Sequence, residues 1–311
     1  MSNRTRGSAA RSIALALQGG GAHGAFTWGV LDRFFEAGTG FSAVSGVSSG
    51  AMVAAMAVQG LARGGHKGAR NAMAQLWERL AAGPGFGSAM PDTPLDWMWG
   101  KGLELGTELA MTGLTHALRL FNPSQLNPLG QNPLAPLLNE VLDVEALRMP
   151  GAPRLYVGAT DVESGEARIF TNHEIGVRHL LASACIPMMF PTVEINGRHY
   201  WDGGYSCNPP LAPVLRPRPD HVILVRAQPR QRKGVPSSTV DIVHRLHELA
   251  FQAPLEAELS LLPRQTRLTD ISADAALAHR PLSSKTNTEK GFLDDLFAAG
   301  RAEAEAALQL A

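Results

Sequence analysis

The sequence predicts an α/β fold built on a central, mostly parallel sheet flanked by helices. Three observations predict it. The run Ile13 to Leu17 is short, apolar and bounded by glycine, as suits a strand buried on both faces. Ala22 to Ala37 follows with Phe26, Val30 and Phe34 at helical spacing, and stops at Gly38 and Gly40. The same order then repeats as apolar Phe41 to Val44, the turn "SGVSSG", and the helical composition of Ala51 to Gln59. Strand, glycine turn and helix, twice over, is the start of a βαβα unit.

The later elements follow by the same reasoning. Leu155 to Ala159 and Ala167 to Phe170 read as strands around "DVESGE". Val177 to Ala184 reads as a helix that must stop before Pro187. Val193 to Trp201 contains the turn "NGR" and reads as a hairpin. "HVILVR", His221 to Arg226, is a further buried strand, and Val240 to Leu262 and Phe292 to Leu310 are closing helices. Between Gly83 and Pro136 the texture changes, with prolines alternating with an apolar stretch that carries Trp97 and Trp99. This region is expected to be a helical insertion or lid over one domain spanning 12–311, with 1–11 a disordered leader. If it is a lid, it is a candidate for contact with a lipid surface.

Composition narrows the class. Of the 311 residues, 45% are hydrophobic and 18% charged, enough for a sizeable packed core. The 28 basic and 28 acidic side chains cancel, so no face attracts a polyanion and nucleic acid is not an expected partner. The densest basic run, Arg226 to Lys233, reads as a solvated loop. Two cysteines, Cys185 and Cys207, form neither a disulfide framework nor a metal-ligand pattern. His244 and His247 have metal-like spacing but no third ligand nearby. No apolar run is long enough to span a bilayer. The expected location is cytoplasmic, with peripheral membrane contact left open.

Two glycine turns carry the chemistry. The first, "GGGAHG" from Gly19 to Gly24, fits the spacing of a dinucleotide-binding turn. Such a turn needs a carboxylate about 20 residues further on to hold the ribose. That window is Thr39 to Val44, which has no acid, and Asp32 and Glu36 come too early. A dinucleotide-binding oxidoreductase using the Gly19–Gly24 turn is therefore the weaker reading. The second turn, Gly46-Val47-Ser48-Ser49-Gly50, is a G-x-S-x-G between strand and helix, the context of a nucleophile elbow. Ser48 at its centre is the candidate nucleophile, with Ser45 and Ser49 as local competitors. Given an elbow, the first turn gains a different purpose. The Gly20 and Gly21 amides can receive the negative oxygen of an acyl-transfer intermediate, each such donor being worth about 2.7–4 kcal/mol.

A serine also needs a proton acceptor. Ten histidines leave a Ser-His-Asp triad open, but the stronger signal is "YWDGGYSCNPPL", where Asp202 precedes Gly203 and Gly204 at the end of a predicted strand. With this third motif in place, the chain from about Ile13 to Pro210 resembles the patatin-like phospholipase family. "GGGAHG" resembles its oxyanion motif, "GVSSG" its elbow and "DGG" the motif of its second catalytic residue. "GATDVESGEARIF" and "LLASACIPMMFPTVEINGRHYWDGG" share the family's texture. The resemblance implies a three-layer α/β fold, a Ser48–Asp202 dyad without histidine, and hydrolysis of lipid acyl esters without metal or cofactor. An aspartate with an ordinary pKa of about 3.9 is a weak base for serine. Either proton transfer is coupled to bond formation, or burial raises the pKa of Asp202. One departure stands out. The family often has Arg or Lys where this chain has His23, a residue mostly neutral above pH 6.5 or so. His23 can touch substrate or close the start of the first helix. Neutral acylglycerols and hydroxyacyl storage polyesters therefore stand beside phospholipid as substrates.

Overall fold

A computed structural model of the chain describes residues 12–83, 132–187, 190–231, 234–237, 239–260, 262–280 and 282–310. Eight strands form one sheet. They are β1 (Ile13–Leu17), β2 (Ala43–Gly46), β3 (Arg154–Asp161), β4 (Ala167–Thr171), β5 (Val193–Ile195), β6 (Arg198–Asp202), β7 (His221–Arg226) and β8 (Arg267–Ser272). The order β3-β2-β1-β7-β8 is parallel throughout. β4, β5 and β6 join antiparallel beside β3, with β5 and β6 forming the expected hairpin. Its turn residues Asn196 and Gly197 have φ of 53° and 75°, which the sequence Asn-Gly supplies at low cost.

Side-chain alternation along the strands builds the layers. Leu15 and Leu17 of β1, with Ile223 and Val225 of β7, face the larger core. That core lies under α1 (Gly24–Glu36), α2 (Ser49–Ala82) and the final helix α9 (Lys290–Gln309). Ala14, Ala16, Val222 and Leu224 face the other way, onto Val214 of α6 (Ala212–Leu215) and Leu255 of α7 (Thr239–Ser260). The small alanines let α6 and α7 lie close. The four other helices among the described residues are short: α3 (Leu134–Val141), α4 (Val144–Leu147), α5 (Val177–Ser183) and α8 (Asp274–Leu277).

The structure adds to the sequence reading in several places. α2 runs far past Gln59 and turns at Gly64 and Gly65, where Gly65 has φ 58°. Its second arm carries Leu76 and Trp77 back into the core, and Trp77 stacks on Trp28 with 6.3 Å between ring centres. β8 is not read from the sequence, because "RLTDIS" is polar with only Leu268 and Ile271 as apolar residues. The assignment of Arg226 to a solvated loop is corrected. It is the last residue of β7, buried, and bonded to Asp270 and Glu256. The early acids Asp32 and Glu36 are structural, joining α1 to Arg70 of α2 and Arg301 of α9. Residues 1–11 and most of the expected insertion, 84–131 with Trp97 and Trp99, lie outside the described residues. Among the described residues no helix is long and apolar enough to cross a membrane.

Candidate active site

β1 and β2 are parallel neighbours with Leu17 opposite Gly46, so both glycine turns leave the same end of the sheet side by side. That end, at the carboxyl ends of parallel strands, is where α/β folds place ligands. Ser48 sits at the second turn with φ 54° and ψ −129°. A left-handed φ is costly for a residue with a Cβ and persists only where neighbours enforce it. Here the Ser48 N–H donates to the Ser183 carbonyl at 3.1 Å and to its hydroxyl at 2.9 Å. The Ser183 hydroxyl in turn donates to the Gly158 carbonyl at 2.6 Å. Sterics complete the restraint, since a Cβ on Gly50 would lie 2.4 Å from the Leu17 carbonyl oxygen.

Asp202 ends β6 beside this turn. Its N–H donates to the Cys185 carbonyl at 2.8 Å, and its own carbonyl accepts the Thr160 hydroxyl at 2.8 Å. Ser183, the last residue of α5, and Cys185, two residues on, thus hold the backbones of Ser48 and Asp202 together. The Asp202 side chain is buried. Oδ1 accepts the Gly204 N–H at 2.8 Å. Oδ2 is also buried and, among the described residues, completes no hydrogen bond. Burial pushes the Asp202 carboxyl up to about 6, against smaller downward pulls from the Gly204 N–H, the Ser48 hydroxyl and the Lys285 charge. Ser48 and Asp202 face one cavity, and Oδ2 completes no bond to the hydroxyl. Such loose geometry is common before substrate arrives.

The first turn is pinned by side chains from distant parts of the chain. The Gly19 N–H donates to Asn208 Oδ1 at 2.9 Å, and the Gly19 carbonyl accepts from Gln228 Nε2 at 2.7 Å. The Gly20 N–H donates to Ser49 Oγ at 3.1 Å, so this amide is engaged in the resting protein. Gly21 adopts φ 60° and packs on the Lys285 backbone, where a Cβ would lie 2.4 Å from the carbonyl oxygen. Gly24 opens α1 against the Ser49 side chain. Gly46 and Gly50 bracket Ser48, and Gly203 and Gly204 form the short turn after Asp202.

Ser48, Asp202, Gly20 and Gly21 line one cavity of about 140 Å³. Its wall is mostly apolar, formed by Met52, Leu76, Trp77, Leu134, Phe190 and Phe251 among others. His23 is not part of that wall. Its ring is fully buried, with Nε2 2.8 Å from the Ser284 hydroxyl and Phe292 beside it. No histidine lines the cavity among the described residues, and none of the described His, Cys, Asp or Glu side chains cluster as a metal site. Both cysteines are buried thiols pushed up to about 12 by burial.

The family model for patatin-like phospholipase matches residues 15–215, which hold both glycine turns, Ser48 and Asp202. The chain belongs to the patatin-like phospholipase family. Membership of a phospholipase family supports a lipid-hydrolysing enzyme. The fold is similar to VipD from Legionella pneumophila, at 15% identity and TM-score 0.50, covering 96% of this chain and 67% of that one. It is also similar to human GIVD cytosolic phospholipase A2, at 12% identity and TM-score 0.50, covering 96% and 59%. The chain thus spans about three-fifths of the human structure. A comparison with curated proteins by sequence finds no match.

Sequence reasoning missed several residues that line or brace this candidate site. Ser183 and Cys185 lie in the quoted "LLASACIP", and Asn208 in "YSCNPP", but nothing in residue type shows a backbone bond to a turn far away. Gln228, Lys285, Thr286 and Thr288 also line the cavity and lie beyond the matched span. No motif flags them.

Proposed function

We propose that this protein is a serine acyl-ester hydrolase that cleaves lipid acyl esters with Ser48 as nucleophile and Asp202 as its proton acceptor. The observation that carries the reading is the Ser48–Asp202 pairing itself. A strained serine and a buried carboxylate with one uncommitted oxygen share an apolar cavity.

In the first half-reaction the Ser48 Oγ forms a bond to the ester carbonyl carbon as its proton passes to Asp202 Oδ2. The carbonyl oxygen becomes an oxyanion that the Gly21 and Gly20 N–H groups receive, Gly20 sharing the proton it gives Ser49 at rest. The N-terminus of α2, starting at Ser49, adds its positive end. Collapse breaks the bond to the alcohol, which leaves with the proton held by Asp202. Water then repeats the sequence on the acyl-enzyme and releases the acid. A pKa of about 6 makes Asp202 a far better base than an exposed aspartate while keeping it ionised at neutral pH. The acyl chain lies along Met52, Trp77, Leu134 and Phe190.

A neutral ester is the second reading, favoured by one observation. His23, in the position where the family often has Arg or Lys, is buried off the cavity wall, so this loop offers no cation to a headgroup phosphate, and Lys285 on the wall is already engaged by Gln228 and Glu248. Labelling with a fluorophosphonate and mapping the adduct tests the nucleophile. Modification of Ser48, absent in Ser48→Ala, is expected, and an adduct elsewhere or none in folded protein overturns the assignment. Acid release from phosphatidylcholine, triacylglycerol and hydroxybutyrate oligomers then separates the substrate classes.

A further inference from the structure

Resting on Gly20 as an oxyanion donor, we propose that Gln228, held by Lys285, is a positioning residue that aims the Gly20 N–H. A trans peptide is planar, with its C=O and N–H pointing in opposite directions. The Gly19 carbonyl and the Gly20 N–H belong to one such unit. Gln228 Nε2 grips the carbonyl at 2.7 Å on one side. The N–H must then face the other side, toward the elbow, where it meets Ser49 Oγ one residue from the nucleophile. Glycine at 20 offers no side chain to hold this plane, so the grip has to come from outside the loop.

The orientation of the Gln228 amide is itself determined. Its other end, Oε1, accepts from Lys285 Nζ at 3.1 Å. A lysine can only donate and a carbonyl can only accept, so only one flip of the amide satisfies both. Lys285 is drawn to Glu248, buried in α7, at 3.7 Å, and Arg245 shares that carboxylate at 3.1 Å. The Gln228 backbone is cross-braced as well, its N–H donating to Gln18 Oε1 at 3.0 Å. Glu248, Lys285 and Gln228 come from three separate elements, and all lie beyond residues 15–215. The segment after the family's matched span therefore completes the oxyanion loop through the chain Glu248, Lys285, Gln228, Gly19.

The test uses the full chain and a fluorophosphonate, whose tetrahedral adduct needs an oxyanion donor. The maximal labelling rate (kinact) and half-saturating concentration (KI) are measured for wild type, Gln228→Glu, Gln228→Met, Lys285→Met and the Gln228→Met/Lys285→Met double variant. Gln228→Glu keeps the shape and the attraction to Lys285 but loses the donor to the Gly19 carbonyl. Both Gln228 variants are expected to lower kinact roughly 10–100-fold, the scale of a slightly misplaced catalytic group, with KI changed less than about threefold. Measured at pH 8, well above the acid limb of Asp202, the double variant should be no slower than Gln228→Met, because the two residues act in series. Wild-type kinact in either folded Gln228 variant overturns the proposal, as does additivity in the double variant. If the Gln228 variants do not fold, Lys285→Met carries the test, and an unchanged kinact in it overturns the relay. Ser48→Ala and Asp202→Asn separate the two levels. If these abolish labelling while Gln228→Glu labels normally, only the relay fails. If they label normally, the dyad reading fails first.

Discussion

The two glycine turns look alike in sequence and neither leaves room for a Cβ, at Gly50 or at Gly21, but they differ in how many side chains hold their backbone. The Ser48 elbow is held by close backbone fit, with Gly46 and Gly50 leaving no room for a Cβ and Ser183 gripping the strained N–H. The Gly19–Gly21 turn is held by polar side chains that reach it from Asn208, Gln228 and Ser49. Steric fit tolerates almost no change, whereas a hydrogen-bonded plane can be moved by degrees. Substitution of the elbow's own residues should therefore act as all or nothing, and substitution of the side chains that brace the first turn should act in steps.

The largest effects test the elbow. Ser48→Ala is expected to lower kcat by at least about 10⁴-fold, the scale seen when a nucleophile is removed. Gly50→Ala places a Cβ 2.4 Å from the Leu17 carbonyl oxygen, and should lose activity and cooperative unfolding together, by ester hydrolysis and thermal melts. A well-folded, active Gly50→Ala protein would break the contrast between the turns.

Asp202→Asn comes next and has two consequences of opposite sign. The proposed base is lost, so kcat should fall by roughly 10³-fold or more. Stability should rise. The native carboxyl holds its proton up to about pH 6, against an ordinary value of 3.8. The folded state thus binds a proton more tightly than the unfolded one. Between those values stability falls as pH rises, and above about pH 6 the whole penalty, about 3 kcal/mol, is present. Asparagine keeps the acceptor for the Gly204 N–H without the charge. It should unfold later in urea at pH 8 and show no such gain below pH 3.8 or so. An unchanged or lowered stability at pH 8 would mean that Asp202 is not a destabilising buried charge.

Asn208→Ala probes the first turn. It strands the buried Gly19 N–H and also removes the bond from Asn208 Nδ2 to the Phe251 carbonyl at 3.2 Å. A cost of about 1–3 kcal/mol in stability is expected, with kcat reduced roughly tenfold and not abolished. Loss as complete as in Ser48→Ala would show that both turns are all-or-nothing.

How much of this was legible follows the same contrast. The strands, the elbow and the "DGG" turn were readable because each is local. Apolar run, glycine and serine adjoin in sequence, and the chemistry needs them adjoining. β8 escaped because an exposed edge strand carries no alternating apolar signal. The second arm of α2 escaped because "GGHKG" reads as a helix break, which it is, but the chain resumes as helix on the far side. Gln228 and Lys285 escaped for a deeper reason. Their roles depend on which atoms of Gly19 and Gln228 face them after folding, and a lone glutamine or lysine in sequence carries no trace of that. His23 is the converse case, a conspicuous position in a motif whose side chain packs into Ser284 and Phe292 rather than toward substrate.

The smallest expected effect is also the finest test of what the C-terminal elements contribute. On the proposed dyad, activity requires ionised Asp202, so kcat/KM should fall below a limb near pH 6. Four influences set that limb. Burial raises it, and the Gly204 N–H, the Ser48 hydroxyl and the Lys285 charge lower it, Lys285 the least. The other titratable neighbours coupled to Asp202, Cys185, Cys207 and Tyr205, remain protonated in this range because burial pushes them up to about 12 or beyond. Removing the Lys285 charge takes away one force that favours the carboxylate, so the acid limb of Lys285→Met should move to higher pH. The displacement should be modest, because Glu248 lies 3.7 Å from Lys285 and already offsets much of its field. The pH dependence of kcat/KM in wild type and Lys285→Met reads this directly. A limb that stays in place while kcat falls would assign Lys285 to the orientation of Gln228 alone. An upward shift would show that the same lysine serves both turns, holding the amide at the first and tuning the base beside the second.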